Sequence, residues 1–304
     1  MLRIGDRARL TGRNIRKNAD NYLMMAPYLV FFVIFTVIPV IVAIYLSFTY
    51  FNLLQPPEFR GLANYVRLFL DDDVFLTALK NTLVFALLTG PASYILCVLF
   101  AWLINELPGR LRSLMTLVFY APSISGALYV IWGFIFSGDS YGMLNGFLMK
   151  MGFIAEPVLW LTDPKYILGV LIVVQMWLSL GTSFLALIAG LQGVDRSLYE
   201  AGAIDGIRNR FQELMKITIP SIGPSLMFSA VMQIASSFAV GRLSMALAGF
   251  PSTDDAGATV VTHILDYGNY RYEMGYACAV AAVLFVMMLA MNSFVKFLLR
   301  KYND

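Results

Sequence analysis

A row of polar side chains runs through an apolar segment near residue 230. Its members recur at intervals of three, four and seven residues, which is the periodicity of one helical face: Ser229, Gln233, Ser236, Ser237 and Ser244. Hydroxyl and carboxamide groups both donate and accept hydrogen bonds, so this face could bind a molecule rich in hydroxyl groups. Ser and Gln also join neighbouring helices in membranes, and the sequence favours neither interpretation over the other.

Two other apolar segments carry candidate ligand-binding side chains. One contains Gln175, Trp177, Thr182 and Ser183, and the other contains Tyr120, Ser123, Ser125, Tyr129 and Trp132. The indole of Trp177 could stack on a sugar ring, but Trp and Tyr also pack between helices or anchor a membrane interface. We therefore expect only a minority of these side chains to contact a solute.

Arg242 is a single cation near the outer part of an apolar segment. A cation at such a position is costly unless it pairs, reaches the membrane interface or serves function. On a continuous helix, Arg242 would lie more than about 100° away from Ser229 around the axis. The sequence therefore favours an ion pair or an interfacial position, unless Gly241 breaks the helix. If Arg242 does line a transport path, an anionic solute such as a uronate-containing oligosaccharide is expected.

The sequence offers little for catalysis or for energy coupling within the chain. No nucleophile–base or carboxylate–histidine constellation is recognisable, and a lone histidine, His263, cannot form a zinc site. The chain has no Gly-Lys pair and so no usual phosphate-binding loop. Cys97 and Cys278 both fall in apolar segments, where buried packing is the default. We predict a chain that is not an enzyme and that holds no metal or cofactor.

The composition places these segments in a membrane. Hydrophobic residues make up 59% of the 304 residues and charged residues 13%, far from a soluble domain. Six stretches without Asp, Glu, Lys or Arg are each at least 22 residues long, enough to cross a bilayer as a helix. They predict an all-α fold with spans at about 22–49, 83–104, 114–136, 167–191, 220–248 and 276–299. None of these spans contains Asp or Glu, which argues against a proton relay.

The distribution of basic residues predicts the orientation of these spans. Of 22 Lys and Arg residues, 15 fall in alternate segments that include both ends of the chain, and six fall in the opposite loops. Because Lys and Arg are retained on the cytoplasmic side, both termini should be cytoplasmic. We expect a basic cytoplasmic segment over 1–21, a membrane domain over 22–299, a cytoplasmic loop over 192–219 within it, and a tail over 300–304.

The predicted loop contains a polar helical hairpin, EAGAIDGIRNRFQELMKITIP, over residues 200–220. Asp195 should cap the first helix, and Gly206 sits where a left-handed residue ends it. A second helix should run from about Asn209, and Pro220 should begin the fifth span. The small residues Ala201, Gly202 and Ala203 would let the first helix approach a partner closely.

This hairpin resembles the EAA loop of bacterial ABC-importer permeases, where a coupling helix seats in a cleft of the ATPase. The residues that carry the resemblance are Glu200, Ala201, Asp205, Gly206, Ile217 and Pro220. One position departs from the pattern, since the family usually has two alanines after the glutamate and this chain has Ala201-Gly202. Glycine should lower the stability of this helix by up to about 1 kcal/mol relative to alanine.

Other segments resemble the first permease subunit of maltose-type and glycerol-phosphate-type systems. They are PYLVFFVIFTVIP from Pro27, GLANYVRLF from Gly61, LKNTLVFAL from Leu79, and the external residues Gly142, Asn145, Gly152 and 160–164. The loop from Leu247 reads LAGFPSTDDAGATVV where the family often has a Thr-Gly-Gly-Gly-Pro-like turn. Because this loop faces outward, its change could alter contact with a binding protein or with the solute.

The resemblance implies a type I ABC importer permease for a saccharide, working by alternating access in a bacterial or archaeal cytoplasmic membrane. It also implies a second homologous permease, two ATPases that bind ATP and Mg, and an extracytoplasmic solute-binding protein. Membrane lipid is expected to surround the spans. No feature of the sequence predicts nucleic acid binding. Alternatives are an importer of polyol phosphates, amino acids or peptides, and a membrane scaffold or sensor.

Overall fold

The protein is described by a computed structural model over residues 18–124 and 128–299, and it is mainly helical. The candidate Ser125, the tail 300–304 and most of the basic segment 1–21 lie outside the described residues. The helices are α1 (Ala19–Leu46), α2 (Ala63–Leu70), α3 (Asp73–Asn105), α4 (Gly109–Ile124), α5 (Leu128–Ile135), α6 (Met143–Lys150), α7 (Pro164–Leu178), α8 (Thr182–Gln192), α9 (Arg196–Ile204), α10 (Arg210–Ser221), α11 (Gly223–Phe238), α12 (Gly241–Ala248), α13 (Val260–Leu265) and α14 (Met274–Leu299).

Shorter elements connect these helices. Strands β1 (Thr49–Tyr50) and β2 (Glu58–Phe59) form a small antiparallel hairpin after α1. A 3₁₀ turn at Thr253–Asp255 precedes α13, and π-helical turns occupy Val33–Val37, Leu214–Thr218 and Asp266–Tyr270.

Four helical stretches in the described residues are long and apolar enough to cross a membrane: Ala19–Leu46, Asp73–Asn105, Pro164–Gln192 and Met274–Phe297. Two further pairs, α4 with α5 and α10 with α11, would raise the number to six if each pair forms one span. The chain is therefore a multi-pass membrane protein with four to six candidate spans, against the six that the sequence predicts.

Several predicted boundaries differ from the observed ones. Helix α3 begins at Asp73, ten residues before the predicted start of the second span, because Asp72 caps it by accepting a hydrogen bond from the Phe75 N–H. The predicted start of the fifth span at Pro220 differs from the helix boundary. Pro220 lies near the end of α10, and the chain then turns by 83° into α11, which begins at Gly223.

The interiors of two predicted spans are also interrupted. Residues 179–181 separate α7 from α8, and residues 239–240 separate α11 from α12. The second break falls beside Gly241, where an added Cβ would collide with Val261 of α13. Glycine therefore lets α12 approach α13 closely, and α12 need not continue the rotation of α11.

The core forms where α3, α8 and α11 pack against one another. Phe184 and Leu187 of α8 are fully buried there, together with Cys97 and Ala101 of α3. Small residues allow this close packing, since an added Cβ at Gly190 would meet the Ser225 side chain. Burial of these apolar side chains positions the polar residues of α11 described next.

Candidate solute cavity and docking hairpin

The break at residues 239–240 brings predicted polar residues from three segments to one cavity. This cavity has a volume of about 410 Å³, and we call it the solute cavity. It is lined by Pro122, Ser123, Tyr129, Gln175, Leu178, Ser236, Ala239, Val240, Arg242 and Leu243. The prediction of one continuous polar face through Ser244 is wrong, because the helix is interrupted between Phe238 and Gly241.

Two of the cavity residues are joined by a hydrogen bond. Gln175 Nε2 donates to Ser236 Oγ at 3.0 Å, which connects α7 to α11.

Arg242 is exposed and makes no ion pair with any residue that the structure describes. The ion pair that the sequence favoured for Arg242 is absent from the described contacts, and its side chain lines the cavity with Gln175 and Ser236. The interfacial position that the sequence also favoured stays a prediction.

The remaining α11 residues of the predicted row face other helices. Gln233 is buried, and its Nε2 donates to Ser183 Oγ at 2.9 Å and to the Ser179 carbonyl at 3.1 Å. Ser237 donates to the carbonyl of Ile234 within its own helix. Ser229 is fully buried, and its hydroxyl has no hydrogen-bond partner in the described part of the chain. In this chain these residues lie at helix contacts and not in the solute cavity.

Two further candidates have structural partners. Ser244 is buried and donates a hydrogen bond to the Gly257 carbonyl, so it holds the loop that precedes α13. Trp177 contacts Trp132 edge to face, with ring centroids 5.3 Å apart, and remains 40% exposed. Neither side chain lines the solute cavity.

On the other side of the core, α9 and α10 form a docking hairpin over residues 195–221. Asp195 caps α9 by accepting a hydrogen bond from the Ser197 N–H at 3.0 Å, as the sequence predicts. Gly206 has a φ of 87°, the predicted left-handed conformation. The N–H of Ile207 reaches the Gly202 carbonyl and that of Gly206 reaches the Ala203 carbonyl, which is a Schellman termination of the helix.

The glycine that departs from the family pattern faces inward. Gly202 is buried, and an added Cβ would lie 2.5 Å from Ile217 Cδ1 and 3.1 Å from Ile207 Cδ1. Its small size therefore serves the contact between α9 and α10, and the prediction that it lets a partner approach is wrong. Tyr199 Oη and Thr218 Oγ1, 3.0 Å apart, form a second link between the two helices.

The outer surface of the docking hairpin is open to solvent. The predicted residues Glu200, Ala201, Ala203 and Asp205 are exposed there, whereas Ile217 is partly buried and Pro220 exposed on α10. Ile204, at the end of α9, is 88% exposed.

An ion pair connects the docking hairpin to the membrane helices. Arg210 of α10 lies 3.5 Å from the Glu106 carboxylate just after α3 and 2.8 Å from that of Glu213. Arg210 and Glu106 are exposed and Glu213 is partly buried, so the free-energy contribution of these surface pairs is small. Their geometry nevertheless places the hairpin beside the end of α3.

A cluster of ionic and aromatic side chains lies where α2, α3, α13 and α14 meet, on the side that the sequence predicts to be external, and sequence reasoning missed it. The Asp72 carboxylate accepts hydrogen bonds from Tyr276 Oη at 2.6 Å and from His263 Nε2 at 3.0 Å. Nearby, Arg67 pairs with Glu273 and its guanidinium lies 4.3 Å from the centre of the Tyr276 ring. We call Arg67, Asp72, His263, Glu273 and Tyr276 the outer cluster.

Burial and hydrogen bonding lower the pKa values of both His263 and Asp72. Desolvation lowers the pKa of His263, and the attraction of Asp72 does not fully offset it. Desolvation alone would raise the pKa of Asp72, but hydrogen bonds from Tyr276 and the Phe75 N–H, together with His263, lower it. His263 is therefore held as a neutral donor to an ionised Asp72. The only sign of Asp72 in the sequence is the run Asp71-Asp72-Asp73. Such acidic runs are usually solvated, so the sequence does not distinguish the buried Asp72 from its two neighbours.

Comparison with known proteins identifies the family. No protein-family model matches the chain. YesP of Bacillus subtilis (strain 168), a probable ABC transporter permease protein, is 32% identical over 281 residues, which are 91% of this chain and 89% of YesP. The chain belongs to the ABC transporter permeases.

Two other similarities extend over nearly all of this permease. The arabinooligosaccharide transport permease AraP of Bacillus subtilis (strain 168) is 29% identical over 280 residues, 91% of this chain and 87% of AraP. A crystal structure of a bacterial ABC transporter for import of the acidic polysaccharide alginate contains a chain of the same fold. That chain superposes with a TM-score of 0.76 at 25% identity, covering 97% of the permease and 99% of its own length.

Proposed function

We propose that this permease is the transmembrane subunit of an ATP-driven importer that translocates an oligosaccharide. The observation that carries the proposal is similarity over about nine tenths of the chain to permeases of oligosaccharide and polysaccharide importers. The solute cavity supports it, because hydroxyl, carboxamide and guanidinium groups line its wall. Sugar hydroxyls need such donors and acceptors when they leave water.

The proposed topology is a type I importer permease with six spans and cytoplasmic termini. The excess of Lys and Arg in alternate segments supports this orientation. The paired helices α4 with α5 and α10 with α11 would supply the two spans beyond the four continuous ones. The expected location is the cytoplasmic membrane of a bacterium or archaeon.

The docking hairpin is the proposed site of energy coupling. Its exposed residues, Glu200, Ala201, Ala203, Ile204 and Asp205, would seat in a cleft of a partner ATPase that binds ATP and Mg. When the ATPases close, the hairpin would move with them. Contacts between Gly202 and Ile217 and between Arg210 and Glu106 would carry this movement toward α3. The solute cavity would then open alternately to the two sides of the membrane.

Further subunits complete the proposed machine: a second homologous permease, two ATPases and an extracytoplasmic binding protein that delivers the saccharide. Helix α1 supports the need for another membrane chain or lipid, because none of its residues is buried. A heterodimer of permeases is proposed over a homodimer, since the chain resembles the first of two subunits in paired sugar systems.

The proposal is tested by reconstituting the complete transporter in proteoliposomes with its binding protein. Ile204→Asp places a charge on the docking surface without touching the Gly202–Ile217 contact. It should reduce saccharide-stimulated ATPase turnover by about tenfold or more, because a buried unpaired charge weakens docking. The matched control is Lys216→Gln, an exposed change elsewhere on the hairpin, which should retain turnover.

Uptake of neutral and acidic oligosaccharides, glycerol phosphate, amino acids and short peptides is measured in the same preparation. ATP-dependent uptake confined to saccharides is the expected result. Uptake of amino acids, peptides or glycerol phosphate alone would contradict saccharide transport, and the absence of any stimulated ATPase would favour a scaffold or sensor.

A further inference from the structure

The solute cavity carries an uncompensated positive charge. Its lining residues include Arg242 but no Asp or Glu, and Arg242 forms no ion pair with a described residue. Two other arginines do have anionic partners, since Arg67 pairs with Glu273 and Arg271 with Asp266. The cavity is thus electrostatically complementary to an anion.

The position of Arg242 is unfavourable for the fold by itself. It lies in the first turn of α12, where the helix dipole disfavours a cation. An anion bound in the cavity beside this helix start would offset the unfavourable placement of the cation.

The polar side chains near Arg242 indicate which other groups the ligand carries. Gln175 and Ser236 are joined by a hydrogen bond, yet the carboxamide oxygen of Gln175 is not used in it and can accept from a hydroxyl. Tyr129 adds a phenol to the same cavity. A planar guanidinium binds a carboxylate through two parallel hydrogen bonds, whereas hydroxyl groups suit the amide and phenol.

We propose that Arg242 binds the carboxylate of a uronate-containing oligosaccharide in the solute cavity and so determines selection of an acidic solute. This inference rests on the proposed saccharide import. Gln175, Ser236 and Tyr129 contact hydroxyl groups of the same sugar. Loss of the guanidinium removes discrimination for the carboxylate without removing a contact that holds the fold.

The test uses proteoliposomes containing the complete transporter, ATP and its binding protein. The probes are trisaccharides of galacturonate, mannuronate and glucuronate, each compared with its neutral methyl ester and with neutral trisaccharides. The native transporter should import at least one acid faster than its ester. Arg242→Gln should lower that rate about tenfold or more, because it leaves a desolvated carboxylate unpaired. Arg242→Lys should retain part of the rate, since it keeps the charge but loses the two-point geometry.

The matched control is Lys150→Gln, which removes an exposed basic charge at the end of α6 and should leave uptake unchanged. Assembly and thermal unfolding of Arg242→Gln should also match the native complex. Equal uptake of acid and ester, or acid uptake that Arg242→Gln does not change, would overturn the role of Arg242 while saccharide import stands. A transporter that hydrolyses ATP but imports none of the saccharides would instead overturn the proposed function.

Discussion

The outer cluster and the solute cavity both contain charged and polar side chains among apolar helices. The charged groups of the outer cluster have partners, whereas the arginine of the solute cavity has no described ion pair. In the outer cluster, Asp72 accepts three hydrogen bonds and Arg67 has both an anionic and an aromatic partner. In the solute cavity, Arg242 is exposed and lacks an ion-pair partner among the described residues. Satisfied groups stabilise the fold, whereas an unsatisfied group is available to a ligand.

The first prediction contrasts the two regions through stability. Asp72→Ala removes the cap of α3 and leaves His263 and Tyr276 without their shared acceptor. The free energy of unfolding should fall by about 3 kcal/mol. Arg242→Gln should change it by less than about 0.5 kcal/mol, because no described ion pair is lost. Thermal unfolding of the purified complex in mild detergent measures both.

Asp71 provides the matched control for Asp72. It is the preceding residue of the same acidic run, it is exposed, and none of its described contacts involves the carboxylate. Asp71→Ala should leave the unfolding midpoint nearly unchanged. Equal shifts of the unfolding midpoint for Asp71→Ala and Asp72→Ala would contradict a stabilising role for the outer cluster.

The second prediction separates helix contacts from the solute path within one helix. Gln233→Leu removes the donor to Ser183 and to the Ser179 carbonyl and should destabilise the protein by about 1 kcal/mol. Ser229→Ala removes a buried hydroxyl without a described partner and should be neutral or stabilising. Unfolding measurements are paired with solute uptake. A Gln233→Leu variant of native stability that no longer imports solute would place Gln233 in the path instead.

The smallest effect concerns pH. Burial lowers the pKa of His263 in the folded protein, so the unfolded protein binds a proton more readily. The associated stability is present above the ordinary histidine pKa of about 6.5 and is lost as pH falls below it. The unfolding midpoint should therefore decrease from pH 7.5 to 5.5, and His263→Gln should weaken this dependence. A midpoint that rises as pH falls would mean that the His263–Asp72 pair is strengthened by protonation.

Local chemistry made parts of this structure predictable. Asp195 and Gly206 were identified as the ends of α9 because capping and left-handed backbone depend on the residue itself and its near neighbours. The long apolar segments likewise identified membrane helices, because their length and hydropathy are visible in sequence.

Features set by distant contacts were not predictable. Helix α12 approaches Val261 of α13 closely at Gly241, a contact that the local sequence does not reveal. After the interruption before Gly241, Ser236 and Arg242 line one cavity and Ser244 does not. Asp72 meets His263 and Tyr276 across about 200 residues of chain. Gly202 was misread for the same reason, since its partner Ile217 lies on the next helix.

The most direct test of the account is purification of the tagged permease with its membrane partners, followed by ATPase assay of the native protein and of Gly206→Pro. Proline cannot adopt the φ of 87° at Gly206, so this change should displace α9 while leaving the membrane helices intact. The account predicts that an ATPase copurifies and that its solute-stimulated turnover is lost in the variant. Purification without an ATPase in several mild detergents, or turnover indifferent to Gly206→Pro, would contradict coupling through the docking hairpin.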